Sequence, residues 1–301
     1  MPKSERAPAR GEPREEAAKA SPSAALERLR AVRHLVLDLD GTVYLGSRVF
    51  PWSRPFFERL RALGVGRSFV TNNNSRSLAD YLARLKPLVP DIAPRDIYTS
   101  TLATIDYLRE AEPRPRRLYI LGTPALRKEL CAAGFVECGE SPDDPPEAVV
   151  VGFDTSLAYP RLARAAYWIH RAARFVATHP DRVCPTDGEI LLPDCGSIAA
   201  CLAAATGREP DAVPGKPSAR MVLGAIRGRD LPVEAVAVVG DRLYTDMAMA
   251  RASRALAVLV LSGETTREEA DANPGVADLV VRDLGELGDL LANARDAAPG
   301  P

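Results

Sequence analysis

The stretch Leu35-Val36-Leu37-Asp38-Leu39-Asp40-Gly41-Thr42-Val43-Tyr44 decides the fold. Its apolar opening suits a strand buried on both faces, and the run breaks off at Asp38. Side chains two apart on a strand point the same way, so Asp38 and Asp40 project together from its carboxyl end, where open α/β sheets bind ligands. Two carboxylates side by side repel, and a cation is expected to hold them. An Asp-Gly hairpin turn is the structural alternative. A calcium loop fails on register: with Gly41 as the sixth position the first ligand would be Val36, and with Asp38 as the first the closing glutamate would be Val49.

Similar apolar runs recur at Ser68 to Val70, Leu118 to Leu121, Ala148 to Val151, Phe175 to Ala177, Val236 to Val239 and Leu256 to Leu261. Segments of helical spacing lie between them: Trp52 to Leu63, Leu78 to Leu85, Tyr159 to Ala173, Ile198 to Ala205 and Ala219 to Ile226. Strand alternates with helix, so the class is α/β with a Rossmann-like parallel sheet. A chain of 301 residues exceeds one ordinary core. Seams near Thr99 to Ala103 and in the turn-rich Thr206 to Pro217 predict a core of residues 31–100 and 207–291, split by an inserted α/β domain over 101–206. Residues 1–30, rich in Pro, Ala, Arg and Glu at their start, are expected to be a disordered extension, and 292–301 a loose tail.

A formal charge of -1 argues against a partner that is a nucleic acid polymer. An apolar run such as Ala255 to Leu261 is far short of the roughly 20 residues of a membrane span. Five cysteines, Cys131, Cys138, Cys184, Cys195 and Cys201, form no close Cys-x-x-Cys pair. They read as buried free thiols in a reducing cytoplasm.

Three further polar groups follow the strands. Thr71-Asn72-Asn73-Asn74 ends the second run, and its hydroxyl, amides and backbone N–H groups suit phosphate oxygens, although Asn-rich turns also cap helices. Gly240-Asp241 ends another, with Asp246 five residues on, where a carboxylate could serve a helix start. Gly215-Lys216-Pro217 places a lysine in a tight turn. Only five of the 39 basic residues are lysine, and lysine supplies a compact point charge that the planar arginine fork does not copy. Carboxylates, a hydroxyl-amide turn and a cation together suit phosphoryl transfer through a carboxylate nucleophile, with magnesium offsetting the crowded negative charge.

In this order, Asp38-x-Asp40-Gly41-Thr42, Thr71-Asn72-Asn73, Gly215-Lys216-Pro217 and Gly240-Asp241 to Asp246, the motifs resemble the haloacid dehalogenase superfamily. The insertion, with Ala177-Thr178-His179-Pro180-Asp181 and Pro193-Asp194-Cys195-Gly196-Ser197, is similar to the subgroup of NagD-type nucleotide phosphatases, 4-nitrophenylphosphatases and AraL-type sugar phosphatases. The resemblance implies a magnesium-dependent phosphatase of small phosphomonoesters, sugar phosphates or nucleoside monophosphates. It implies Asp38 as nucleophile, passing through an aspartyl-phosphate, and Asp40 as general acid and base. It implies Asp38, Asp40 through its backbone carbonyl, Asp241 and Asp246 (directly or through water) around the metal, and Thr71, Asn72 and Lys216 on the phosphoryl group. The insertion would be a cap, and members of the subgroup often form homodimers through it.

His179 stands where the subgroup usually has asparagine, and Asp194 where it often has glycine. These departures leave the phosphoryl chemistry intact and bear on the substrate. His179, Asp181 and Asp187 are the specificity candidates, with packing as the alternative for His179. Cys195 and Cys201 are expected to pack inside the helix after Gly196, and Thr266-x-x-Glu269 to be a helix capping box. Two alternatives to a phosphatase are a phosphotransferase or mutase of the same superfamily, whose mutases usually carry a helical cap after the first motif, and a catalytically silent binding or regulatory module.

Overall fold

The computed structural model describes residues 22–184 and 190–296. Two parallel sheets organise it. Their ten strands are β1 His34–Leu37, β2 Gly66–Thr71, β3 Ile97–Thr99, β4 Arg117–Leu121, β5 Val136–Glu137, β6 Ala148–Val151, β7 Arg174–Ala177, β8 Val236–Gly240, β9 Leu256–Val260 and β10 Leu279–Val281. The larger sheet has the order β10-β9-β8-β1-β2-β3, and the smaller the order β5-β4-β6-β7. Every pairing within both is parallel.

The period of two in a strand divides the larger sheet's side chains between two apolar layers. Leu35, Leu37, Phe69, Val239 and Val258 pack on one face with Phe56, Leu60 and Leu287 from the helices Ser53–Ala62 and Leu284–Asp296. Val36, Val70, Val238 and Leu259 pack on the other with Met221 and Val222 from the helix Arg220–Ala225. β1 and β8 are buried at every position, which is why they read as unbroken apolar runs. The smaller sheet repeats the pattern, with the helices Tyr159–His170 and Cys195–Thr206 on one face and Ser100–Glu110 and Pro124–Ala132 on the other.

Helix Ser100–Glu110 lies at the expected seam and serves both layers. Its Ala103 packs against the larger sheet, while Ile105 and Leu108 pack against the smaller.

Register places the functional ends together. Leu37 of β1 pairs with Val239 of β8 on one side and Phe69 of β2 on the other. The chain therefore leaves these three central strands at Asp38, Asp241 and Asn72 in one crevice, at the point where the strand order reverses about β1.

Three expectations are corrected. Within the stretch 1–30, expected to be disordered, Pro22–Ala31 forms a helix, because Ala25 and Leu29 bury completely and the helix packs against Leu284–Asp296; residues 1–21 lie outside the described residues. Within 292–301, expected to be a loose tail, the last helix continues to Asp296, held by Arg295 donating to the carbonyls of Leu63 at 2.6 Å and Val32 at 2.7 Å; residues 297–301 lie outside the described residues. Cys131 and Cys201 are exposed. In helix Cys195–Thr206 the buried positions are Cys195, Ile198, Ala199, Leu202 and Ala203, and Cys201 falls on the opposite face of that stripe. The Thr266 and Glu269 capping box is present. No helix among the described residues is long and apolar enough to cross a membrane.

Candidate active site

Asp38 stands at the carboxyl end of β1 and is nearly buried. Its Oδ2 accepts from Thr42 Oγ1 at 3.2 Å, and its Oδ1 pairs with Lys216 Nζ. The same ammonium lies 2.8 Å from Asp246 Oδ1. Lys216 is 3% exposed, so its charge is held by these two carboxylates rather than by water, and they drive its pKa above the ordinary lysine value despite burial.

Asp241 follows β8 directly. Its Oδ2 accepts from the backbone N–H of Glu264 at 2.7 Å, while its buried Oδ1 has no hydrogen-bond partner. Burial, then the charges of Asp38 and Asp246, push its carboxyl well above the usual range. Asp246 sits in a π-helical turn over Leu243–Met247, with its Oδ2 accepting from the N–H of Arg242 at 3.2 Å. Burial raises Asp246 too, against the pull of Lys216. Asp38, Asp241 and Asp246 offer carboxylate oxygens within 4.8 Å of one another. One ammonium does not neutralise three converging carboxylates, and an orphaned Asp241 oxygen faces them. This all-oxygen donor set fits a hard divalent cation such as magnesium.

Close backbone approach lets the carboxylates converge. Gly41 has φ +89°, and a Cβ there would lie 2.3 Å from Asp241 Oδ2; a Cβ at Gly240 would lie 2.2 Å from Asp246 Cγ. Any other residue at Gly41 would both strain the backbone and displace the carboxylate.

Asp40 shares the crevice with Asp38, Thr71, Asn73 and Thr245. Burial first, and the Asp38 charge second, push its carboxyl up to about 6. Among the sequence candidates Thr71 is buried, its Oγ1 accepting from Asn73 N–H at 3.1 Å. Asn72 lines the crevice, but its amide is already committed. Its Oδ1 accepts from Lys216 N–H at 2.9 Å, and its Nδ2 donates to Lys216 O at 3.3 Å and to both Asp181 oxygens at 3.2 Å. Asn72 thus positions the lysine loop.

The smaller sheet's segment reaches over the crevice with Asp181 and Asp194. Asp181 also lies 3.5 Å from Arg242 Nη1, and Arg242 pairs in turn with Glu264 at 2.8 Å. His179 is fully buried behind this wall, with Nδ1 3.6 Å from Asp181 Oδ2 and Nε2 3.6 Å from Asp194 Oδ1. It faces the two carboxylates and does not line the crevice. Asp187 lies outside the described residues.

Arg242 is the side chain that sequence reasoning passed over, and Asp194 entered it only as a motif departure. The signal for Asp194 was its place in Pro193-Asp194-Cys195-Gly196-Ser197, where it caps the following helix by accepting from Cys195 N–H at 2.6 Å. Arg242 carried no signal beyond its adjacency to Asp241.

A haloacid dehalogenase-like hydrolase model matches residues 35–136, and a second, HAD-hydrolase-like, matches residues 213–287. The acid sugar phosphatase of Staphylococcus aureus is 32% identical over 219 residues, 73% of this chain and 82% of that protein. The 4-nitrophenylphosphatase of Thermotoga maritima superposes with a TM-score of 0.80 at 37% identity, covering 87% of this chain and 98% of that one. A glycerol phosphate phosphatase of Mycobacterium tuberculosis, solved in complex with magnesium, superposes with a TM-score of 0.77 at 33% identity, covering 91% and 81%.

Proposed function

The chain belongs to the haloacid dehalogenase-like hydrolases, and from that premise we propose that it hydrolyses small phosphomonoesters, sugar phosphates or nucleoside monophosphates, with magnesium and through an aspartyl-phosphate on Asp38. That it is a phosphoric monoester hydrolase follows from its family and its phosphatase relatives. The observation that carries the finer reading is the Lys216 ammonium lodged between Asp38 and Asp246, with Asp241 closing the carboxylate set.

In this reading an Asp38 carboxylate oxygen attacks phosphorus, and the bond from phosphorus to the leaving alkoxide oxygen breaks. Asp40, its carboxyl pushed up to about 6, retains a protonated fraction near neutrality and gives its proton to that oxygen. The resulting Asp40 carboxylate takes a proton from the water that attacks the aspartyl-phosphate, which frees Asp38 and releases inorganic phosphate. Lys216 balances charge on the transferred group, and Thr71 with the Asn73 turn lines the same end. Magnesium, held by Asp38, Asp241, Asp246 and the Asp40 carbonyl, would screen the attacking carboxylate from the phosphoryl oxygens.

The segment 101–206 acts as a cap. Asp181 and Asp194 bring its carboxylates to the crevice, where they accept hydrogen bonds from hydroxyls of the alcohol part of the substrate. A water-poor closed form follows from the Asp181 contacts to Asn72 and Arg242. A mutase is disfavoured because the segment between Asp40 and Thr71 holds only a short hairpin and the helix Ser53–Ala62. The test is phosphate release from sugar phosphates, nucleoside monophosphates, glycerol phosphate and an aryl phosphate, with magnesium and with chelator. Metal-dependent release from at least one is expected, and none from any would overturn the reading.

A further inference from the structure

A second cavity lies at the opposite end of the larger sheet from the active site. It is lined by Arg33, His34, Gly66, Arg95, Arg227, Gly228, Arg229 and Leu231 and has a volume of about 340 Å³, within the range of small-molecule sites. Its walls are the residues that lead into the amino ends of three parallel strands: Arg33 and His34 at β1, Gly66 at β2 and Arg95 just before β3. The loop after helix Arg220–Ala225 completes it. Gly228, at φ +72°, turns the chain between Arg227 and Arg229, so both guanidiniums come from one short bend.

Four arginines and no carboxylate line this cavity. Two of the four are balanced from outside it: Arg229 pairs with Asp96 at 2.7 Å and Arg227 with Asp106 at 2.9 Å. Arg229 is further fixed by donating from Nε to Ala225 O at 3.2 Å and from Nη2 to Arg95 O at 3.0 Å. The Arg33 and Arg95 guanidiniums make no ion pair or hydrogen bond with the described residues. Two positive charges are therefore left over in the lining beside a half-buried arginine that is held rigid.

The floor is polar and neutral. His34 Nε2 meets Ser68 Oγ at 2.9 Å, and that hydroxyl donates to Ala225 O at 3.0 Å, so the imidazole must be the donor at Nε2. This leaves Nδ1 as an acceptor for a hydroxyl. Burial first, with the Arg229 charge acting in the same direction, holds His34 at about 4, so the ring is neutral near pH 7.

We propose that this cavity is a second anion site, which takes a phosphate dianion, free or at the end of a small monoester, on the guanidiniums of Arg33, Arg95 and Arg229. Planar guanidiniums match phosphate oxygens in paired hydrogen bonds, and a monohydrogen phosphate also has the hydroxyl that His34 Nδ1 accepts. The net charge of the lining matches a dianion without residue. The site stands on its own lining and does not depend on the substrate assigned to the active site.

The test is equilibrium dialysis of the full chain with labelled inorganic phosphate, in chelator and at fixed ionic strength, beside the Arg33→Ala/Arg95→Ala double variant. Both side chains are exposed, so the double variant is expected to fold and to release phosphate from an aryl phosphate at the wild-type rate. It is expected to bind one equivalent fewer, or that equivalent at least tenfold more weakly. A parallel arm with glycerol phosphate separates the sources: retention of inorganic phosphate assigns the free ion, and retention of the monoester alone assigns a metabolite. Equal binding of both ligands by wild type and double variant, or displacement of the bound equivalent by the same concentration of chloride, would overturn the proposal.

Discussion

The Lys216 ammonium lies 2.8 Å from Asp246 while pairing with the nucleophile candidate Asp38, and all three side chains are nearly excluded from water. Removing one partner of a buried ion pair costs about 3–5 kcal/mol, because the remaining charges stay desolvated. Lys216→Met is therefore expected to lower the denaturation midpoint sharply in chelator. Lys216→Arg is expected to restore part of the stability and little of the phosphate release, since a planar fork does not fit between two carboxylates that grip a point charge. Denaturant titration beside steady-state kinetics checks both halves.

Asp40→Asn keeps the shape of the crevice and removes its proton donor. Substrate binding is expected to persist while kcat falls by about 100- to 10,000-fold, the usual contribution of a placed general acid. Unimpaired turnover by this variant would remove Asp40 from the mechanism.

Much of this arrangement is legible in the sequence, for identifiable reasons. β1 and β8 are central strands buried at every position, so each reads as an apolar run that stops at its functional residue, whereas β2 shows only Phe69 and Val70 before Thr71. The edge strands Ile97–Thr99 and Leu279–Val281 have three residues each, too few to show a period. Asp38, Asp40, Lys216, Asp241 and Asp246 were found as strand-end or turn residues whose charge needs partners. Arg242 was not, because its direction is set by the π-helical turn Leu243–Met247, which no helical periodicity reports. Asn72 is legible as a strand-end amide, but its partners are not. Its hydrogen bonds run to Lys216 and Asp181, which are 144 and 109 residues away in sequence.

Asp181 joins the inserted segment to the core through Asn72 and Arg242. Hydrogen bonds to a charged group contribute about 1.5–3 kcal/mol each, so Asp181→Ala is expected to lower kcat/KM by about 10- to 100-fold. It also frees one end of the Asn72 amide that holds Lys216 N–H. Faster hydrogen exchange at the Lys216 amide is the accompanying sign, and an unchanged rate there would mean that Asn72 is held without Asp181.

The carboxylate cluster predicts a metal effect on stability that can be read without substrate. A ligand at a hundredfold excess over its Kd stabilises the folded state by about 2.7 kcal/mol. Magnesium is expected to raise the Tm of the wild-type chain. Asp241→Asn is expected to lose that increment while being at least as stable as wild type in chelator, because it removes a charge that burial and like neighbours disfavour. A metal-free variant that melts well below the metal-free wild type would contradict the crowding.

His34 predicts how stability responds to acid. Its imidazole titrates at about 4 in the folded chain and at an ordinary 6.5 when unfolded, chiefly because burial beneath the arginine loop disfavours the charged ring. Between these values the unfolded chain binds a proton that the folded chain refuses, so stability is full above pH 6.5 and is lost as pH falls toward 4. The difference corresponds to about 3 kcal/mol. His34→Gln, which keeps a donor for Ser68 and cannot ionise, is expected to flatten this part of the profile relative to wild type. Denaturant midpoints measured at intervals from pH 7.5 to 4 give the comparison, and parallel slopes for the two proteins would show that His34 is not the group responsible.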